Sequence, residues 1–151
     1  MPAEKQFGRE QYQNMMTALR AKGPELGIDF CERSLLANSR LAIEASEYAR
    51  GKGLHSAFGA KVFQAYFTQG RNIGELDVIL DIAAAAGLDR EEVRRVIAEG
   101  VYAPKRLQIA KEAEEKQIEM VPTFIINDSH RLVGVLSPGE FRDLFAKLSS
   151  E

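Results

Sequence analysis

Apolar residues recur every three to four positions along most of the chain, which is the spacing of an amphipathic helix. Glycines, or a Gly–Pro pair, follow most of these stretches and mark where each helix ends. The pattern predicts helices over 9–22, 38–50, 54–68, 75–86, 89–97 and 103–117, and a last helix after Ser137. The stretch 75–86 is apolar on several sides, so we expect it to be the buried central helix.

Polar residues predict how three of these helices begin. Asn38 is placed to cap the helix that runs to Arg50. Asp89 and Glu92 have the spacing of a capping box, in which each side chain satisfies a free amide at the helix start. The sequence 137–140 (SPGE) combines an N-cap serine with a proline at the first helical position and a glutamate at the capping-box position.

The hydrophobic period changes from helical to extended after Met120. Two runs rich in β-branched and aromatic residues, 123–126 and 132–135, flank the turn-forming sequence 127–130, which predicts an antiparallel hairpin. The chain is therefore predicted to be α/β and mostly helical. We expect a helical region over 1–100 and a connecting helix plus a ββα unit over 101–151, together forming one compact unit.

Composition narrows the classes of function. The chain has 151 residues, 45% of them hydrophobic, and a net charge of -2, which creates no field that would attract nucleic acid or anionic lipid. No stretch approaches the roughly 20 apolar residues of a membrane span, and 1–20 lacks the apolar core of a signal peptide. With its single cysteine, the chain is predicted to be cytoplasmic, without a membrane or nucleic-acid partner.

The single cysteine limits the chemistry within the chain. It excludes an internal disulfide and, with only two histidines present, predicts that there is no structural metal site. A thiolate at Cys31 would be favoured by Arg33 and opposed by Glu32, and free cysteines are most often inert. The sequence places no relay partner beside His55 or His130, so both are predicted to be solvated, and no catalytic residue is assigned.

The stretch 79–97 imitates a helix-turn-helix and opens a remote alternative, a DNA-binding function. The first turn of a recognition helix faces base edges and phosphates. Here that turn holds Asp89, Glu91 and Glu92, whose carboxylates would be repelled by the DNA backbone. We expect instead two helices packed against each other, and no nucleic-acid partner.

Four motifs make the chain resemble the DsbA-like branch of the thioredoxin superfamily. They are Asn–Ser at 38–39, VFQAYFTQGRNIG at 62–74, LDIAA at 80–84 and VPTFII at 121–126. The resemblance spans roughly residues 7 to 148 and is strongest to the FrnE-type dithiol–disulfide isomerases. It implies a thioredoxin fold with a helical insertion, in which 9–100 is mainly the insert and 121–148 is the C-terminal ββα unit.

The resemblance also implies a substrate-binding site at Val121, Pro122 and Thr123. Members of the family place a cis proline here, and the backbone beside it offers an N–H and a C=O to an extended substrate segment. From the residues alone, Pro122 is open to another interpretation, a proline that starts an edge strand and has no function.

The chain departs from the family pattern at its beginning. Such proteins start with a strand, a helix opened by a Cys-x-x-Cys pair and a second strand, and this N-terminal βαβ has no counterpart here. We therefore expect a family member that is not redox-active on its own, and a homodimer or a further N-terminal segment that completes the sheet. Two alternatives stay open: a non-catalytic module that binds a peptide or a small thiol, and an isomerase in which glutathione supplies the missing sulfur.

Overall fold

The computed structural model describes residues 8–32 and 36–149. Its helices are α1 (Arg9–Lys22), α2 (Arg40–Gly51), α3 (His55–Phe63), α4 (Leu76–Ala85), α5 (Arg90–Ala98), α6 (Ala103–Glu115) and α7 (Pro138–Leu148). A 3₁₀ turn (Gly23–Leu26) follows α1, and a π-helical turn (Gln64–Thr68) follows α3. The strands are β1 (Thr123–Ile126) and β2 (His130–Val133).

The prediction that 75–86 is the buried central helix is confirmed. The α4 side chains of Ile79, Leu80 and Ala83 are 0% exposed, and Phe58 of α3 and Val93 of α5 are equally buried. These residues belong to one continuous apolar core to which α2, α3, α4 and α5 all contribute. The core therefore lies among the four helices that follow Ser39.

The predicted helix 54–68 is divided in the structure. α3 ends at Phe63, and the π-helical turn widens the backbone so that the Gln69 N–H reaches the Gln64 carbonyl at 3.0 Å. The Phe67 carbonyl within this turn accepts the Cys31 N–H at 2.9 Å. A hydrogen bond to a segment more than thirty residues away cannot be inferred from local periodicity, which is why the sequence predicted a continuous helix.

The predicted capping box at the start of α5 forms only in half. The Asp89 carboxylate accepts the Glu92 N–H at 2.7 Å, as predicted. The Glu92 carboxylate does not return the bond, because it accepts a hydrogen bond from the Tyr48 hydroxyl and pairs with Lys52 at 3.2 Å. α5 is therefore joined to α2 at the point where local capping was expected.

The chain divides into two compact units between Arg106 and Leu107. We call the described residues up to Arg106 the helical unit and 107–149 the hairpin unit. The division lies six residues beyond residue 100, where the sequence predicted a change of region, and the prediction that both regions form one compact unit stays a prediction. The physical reason lies in α6, whose first turn is held to α2 by an ion pair between Arg106 and Glu44 at 3.1 Å.

The hairpin unit consists of the antiparallel strands β1 and β2 followed by α7. The register pairs Thr123 with Val133 and Ile126 with His130. The second strand begins two residues earlier than predicted, because Asn127 and Asp128 both adopt positive φ values, 50° and 56°, and close the turn tightly. The predicted capping box at the start of α7 is present, and its backbone hydrogen bond at Ser137 lowers the pKa of the Glu140 carboxyl.

Candidate functional site

The start of β1 brings together the three residues predicted to bind substrate. Val121, Pro122 and Thr123 follow one another at an exposed corner of the hairpin, and the Val121–Pro122 peptide bond is cis. The Val121 side chain is 87% exposed. The Thr123 hydroxyl donates to the Met120 carbonyl at 2.6 Å, which ties the strand start to the preceding loop.

The hydrogen-bond pattern of the hairpin decides where the backbone of these residues points. The Gly134 N–H donates to the Pro122 carbonyl at 2.8 Å, so residues 122 and 134 form a hydrogen-bonded pair. Successive residues of an antiparallel strand alternate between facing their partner strand and facing away from it. Thr123 and Ile125 therefore direct their N–H and C=O groups away from β2, along the outer edge of β1.

This edge is open within the part of the chain that the structure describes, because the sheet there contains only β1 and β2. Exposed apolar side chains stand at its start: Val121 is 87% exposed and Met120, which precedes it, is 60% exposed. An unpaired strand edge flanked by apolar side chains is a template for pairing with another extended segment. We call the outer backbone groups of Val121, Thr123 and Ile125 the β1 edge.

A concave surface lies within the helical unit, between α2 and α3. It encloses about 440 Å³ and has apolar walls that include Ala42, Phe58 and Val62, with Ser46 and His55 at one end. We call it the α2–α3 groove.

The sequence predicted a solvated His55, but in the structure both of its ring nitrogens contact other side chains. Its Nδ1 lies 3.1 Å from the Ser46 hydroxyl oxygen, and its Nε2 lies 3.2 Å from Nη2 of Arg50. Sequence reasoning missed this contact because Ser46 and His55 are nine positions apart, across the turn between two helices. The signal that could have found it is the Gly51–Lys52–Gly53 turn, which folds the start of α3 back onto α2.

Cys31 is half-buried and lies against backbone. Its N–H binds the Phe67 carbonyl, and its Sγ lies 4.0 Å from the Tyr66 carbonyl oxygen. A side chain at Gly70 would begin 3.3 Å from the thiol. The sequence also suggested that Arg33 would favour the thiolate, but Arg33 lies outside the described residues.

Glu32, expected to oppose a thiolate at Cys31, pairs with Arg20 at 3.6 Å. Among the described residues, no three His, Cys, Asp or Glu side chains are grouped so that they could hold a metal ion. None of the described helices is both long enough and apolar enough to span a membrane.

The stretch that imitates a helix-turn-helix uses its charged residues for contacts within the helical unit. Asp89 caps α5, and Glu92 is engaged by Tyr48 and Lys52. Arg90 hydrogen-bonds Asp81 of α4, and this bond is the main reason that the pKa of the Asp81 carboxyl is lowered. These contacts of the charged α5 side chains give no support to a DNA-binding function.

Comparison with known proteins decides the family. The family model for the DSBA-like thioredoxin domain matches residues 1–146. The chain belongs to the DSBA-like thioredoxin domain family. It is 30% identical over 138 residues to YwbO, an uncharacterized protein of Bacillus subtilis, and the match covers 89% of this chain and 66% of YwbO. The chain thus spans just under two thirds of the length of this relative.

A solved structure shows the same DSBA-like fold. A probable DsbA oxidoreductase from Streptomyces coelicolor superposes with a TM-score of 0.85 at 22% identity, over 100% of this chain and 68% of that one. The prediction of a mostly helical α/β, DsbA-like thioredoxin fold is therefore confirmed, and so is the resemblance at the level of the family. Within the DSBA-like fold, β1, β2 and α7 correspond to the C-terminal ββα unit.

Proposed function

We propose that this chain serves thiol–disulfide exchange on proteins, within the FrnE-type branch of the DSBA-like family, by holding an extended substrate segment on the β1 edge. The observation that carries the proposal is the outward direction of the Thr123 and Ile125 backbone groups, next to the 87% exposed Val121. Backbone hydrogen bonds to a strand edge bind an extended peptide without demanding one sequence. This suits a function that must accept many substrates.

Pro122 has no free backbone group that could bind a peptide at this edge. A proline has no N–H, and its carbonyl is already used by Gly134 on the β2 side. The Pro122 backbone therefore offers nothing to a peptide, and binding falls to the residues on either side of it. Val121, Pro122 and Thr123 thus act together, with Val121 and Thr123 as the hydrogen-bonding positions.

The chain should not complete thiol–disulfide exchange by itself. The reaction requires a thiolate that attacks one sulfur of the substrate disulfide, and a second thiol that resolves the mixed disulfide. Cys31 is the only cysteine. We expect no reduction of insulin by this chain with dithiothreitol as the reductant, measured against dithiothreitol alone. Catalysed turnover that survives Cys31→Ser would contradict this account.

The β1 edge is tested with a pair of variants at one position. Thr123→Pro removes the outward N–H while leaving the β1–β2 hydrogen bonds in place, because Thr123 faces away from β2. Thr123→Val also loses the hydroxyl but keeps the N–H, and so serves as the matched control. We expect an unfolded, reduced and alkylated insulin B chain to perturb the Thr123 and Ile125 amide resonances in the native and Thr123→Val proteins.

Thr123→Pro should lose this binding while its remaining amide spectrum stays folded. Equal binding by Thr123→Pro and Thr123→Val would place the peptide elsewhere and overturn the proposal. Glutathione serves as a second probe, since the glutathione-dependent alternative needs its thiol. Saturable binding of glutathione, but not of S-methylglutathione or of the peptide, would favour that alternative.

We further propose that the chain forms a homodimer through apolar side chains of its hairpin unit. In 107–149 no described residue is buried, and Val135, Leu107 and Phe145 are 91%, 57% and 50% exposed. Large apolar side chains exposed to this extent favour association with another apolar surface. Light scattering should give twice the monomer mass, and Val135→Asp should reduce it; a monomer at all concentrations would contradict the dimer.

We place this function in the cytoplasm, since a lone cysteine suits a reducing compartment.

A further inference from the structure

The α2–α3 groove has the size and the walls of a small-molecule site. Its volume of about 440 Å³ falls in the range that holds small ligands. Phe63 forms part of its rim and is 64% exposed, and its ring stacks on Phe67 with centroids 5.8 Å apart. Phe58 and Val62 contribute further apolar surface. A flat apolar molecule would find aromatic faces to pack against.

The polar end of the groove is oriented by a chain of hydrogen bonds. A guanidinium group has only donors, so the Arg50 contact at 3.2 Å requires His55 Nε2 to be an acceptor. The proton of His55 must then be on Nδ1, which lies 3.1 Å from the Ser46 hydroxyl oxygen and 3.4 Å from the Ser46 carbonyl oxygen, so the hydroxyl is the nearer acceptor. With its oxygen occupied as an acceptor, the Ser46 hydroxyl can offer its own hydrogen to the groove. The polar end therefore presents a donor.

The same series of hydrogen bonds excludes a nucleophilic role for Ser46. A serine nucleophile gives its proton to an unprotonated histidine nitrogen. Here the histidine nitrogen that faces Ser46 carries the proton, because Arg50 occupies the other one. The Ser46–His55 pair is thus a hydrogen-bonding device for a ligand acceptor and not an activated catalytic pair.

The charges at the groove favour an uncharged ligand. Glu47, whose side chain is 13% exposed, lines the groove and pairs with Arg50 at 3.4 Å. The carboxylate and the guanidinium compensate each other, so neither an anion nor a cation meets an unbalanced charge. A peptide is also a poor occupant, since each of its residues brings a backbone donor and acceptor that apolar walls cannot satisfy.

We propose that the α2–α3 groove binds an uncharged, flat, mainly apolar small molecule whose carbonyl oxygen accepts a hydrogen bond from the Ser46 hydroxyl. The site is separate from the β1 edge in sequence and in ligand class, and its residues all belong to the helical unit. The proposal holds whether or not the β1 edge binds a peptide, because the two sites share no residue.

The probe that tests this site is prodan, a neutral dimethylaminonaphthalene ketone whose fluorescence shifts to shorter wavelength in apolar surroundings. The full chain is titrated with prodan and, in parallel, with dimethylaminonaphthalene, which has the same ring system and no carbonyl. We expect saturable binding of one prodan per chain with a blue shift, and weaker binding of the compound without the carbonyl. An absence of saturable prodan binding would overturn the proposal.

Ser46→Ala removes the donor, and Ser56→Ala is its matched control. Ser56 is an exposed residue of α3 that does not line the groove. Losing one neutral hydrogen bond should weaken prodan binding about two- to tenfold. Ser46→Ala should leave the binding of dimethylaminonaphthalene unchanged, and Ser56→Ala should leave both unchanged. Equal weakening of the two compounds by Ser46→Ala would show that the carbonyl does not use Ser46, which contradicts the proposal.

Gly59→Leu fills the groove without disturbing the core. Gly59 lines the groove on α3, and a Cβ added there meets no atom within 4 Å. Leucine is also a better helix former than glycine, so the variant should fold. Ala57→Leu, at an exposed α3 position outside the groove, is the control. We expect Gly59→Leu to weaken both compounds more than tenfold and Ala57→Leu to change neither; unchanged binding in Gly59→Leu would place the compounds elsewhere.

Discussion

The helical unit and the hairpin unit of this chain are ordered by different interactions. In the helical unit, Phe58, Ile79 and Leu80 are completely buried in a core shared by four helices. In the hairpin unit, no described residue of 107–149 is buried. Its order comes from the tight turn at 127–128, from the capping box of α7 and from the edge-to-face contact of Phe124 and Phe141, whose centroids are 5.0 Å apart.

The difference explains why each candidate site lies where it does. A packed core can support a shaped groove, because its walls are held by side chains that have no alternative arrangement. A two-stranded hairpin is marginal by itself and keeps its backbone groups accessible. The helical unit therefore carries the concave small-molecule site, and the hairpin unit carries the strand edge. This contrast predicts that variants of the two units should differ in stability and in amide exchange.

Removing an apolar side chain should lower the free energy of unfolding much more in the helical unit than in the hairpin unit. Leu80→Ala removes a fully buried side chain of α4 and should lower the free energy of unfolding by about 2–5 kcal/mol. Phe141→Ala, at a half-buried position of the hairpin unit, should cost about 1 kcal/mol. Urea unfolding followed by far-UV circular dichroism measures both. A cost for Phe141→Ala as large as that for Leu80→Ala would remove the contrast.

The two ends of α6 should respond differently to the loss of a cation. Arg106 pairs with Glu44, whose side chain is 2% exposed, so Arg106→Leu leaves a buried carboxylate without its nearest partner. Urea unfolding should show a loss of about 3 kcal/mol. Lys111, which pairs with Glu115 on the exposed part of the same helix, is the control. Lys111→Ala should change the stability by less than about 0.5 kcal/mol.

The double variant Glu44→Leu with Arg106→Leu should recover most of the stability lost in Arg106→Leu, because replacing a buried ion pair by apolar groups is often neutral. If the double variant were as unstable as Arg106→Leu alone, the cost would not come from the unpaired carboxylate. Arg40, which lies 3.6 Å from Glu44, remains in place in all three proteins.

Local capping should matter chiefly in the hairpin unit. Ser137→Ala removes the side chain that accepts the Glu140 N–H and should cost about 1 kcal/mol. Hydrogen exchange of the α7 amides should become faster, while the amides of α2 and α4 keep their rates. Equal acceleration in both units would mean that they unfold together, and that the contrast in burial has no consequence for local stability.

Acid should weaken both units through different carboxylates. Hydrogen bonds from Tyr48 and Lys52 lower the pKa of Glu92 in the helical unit, and the Ser137 backbone lowers the pKa of Glu140 in the hairpin unit. A lowered folded pKa contributes stability that is complete above the unfolded value, about 4.3 for glutamate, and is lost as the pH falls through the folded pKa. Both units should thus lose stability in acid.

Glu92→Gln assigns the acid effect to one unit. It should reduce the acid dependence of amide exchange in α2 and α5 and leave that of α7 unchanged, as measured by hydrogen exchange at several pH values between about 6 and about 3. A change in α7 of the same size would show that the charges of the two units are coupled.

Local signals in the sequence account for much of this fold. The bounds of α1, the buried face of α4 and the capping box of α7 were all predicted, because each depends on residues within one or two turns of one another. The family was recognised from short motifs, of which 62–74 and 121–126 are the most distinctive. Val121, Pro122 and Thr123 were predicted as a site on the resemblance, and the register of the hairpin supplies the direction of the backbone groups and adds Ile125.

What the sequence did not predict depends on contacts between distant residues. Glu92 completes no capping box because Tyr48, forty-four positions away, takes its carboxylate. α3 gives way to a π-helical turn whose Phe67 carbonyl meets the Cys31 amide. His55 contacts Ser46 and Arg50 because α3 folds back onto α2. Each outcome is a competition between a local partner and a distant one, and a linear sequence shows the local partner alone.

By itself, the sequence determined the helical and strand periods, the caps whose partners are nearby, the family and the limit that one cysteine sets on redox chemistry. The tertiary structure alone decided the division after Arg106, the open outer edge of β1 and the α2–α3 groove with its oriented Ser46 donor. The physical reason is the range of the interactions. Periodicity and capping act over a few residues, whereas burial, strand register and side-chain hydrogen bonding depend on which distant segments the fold brings into contact.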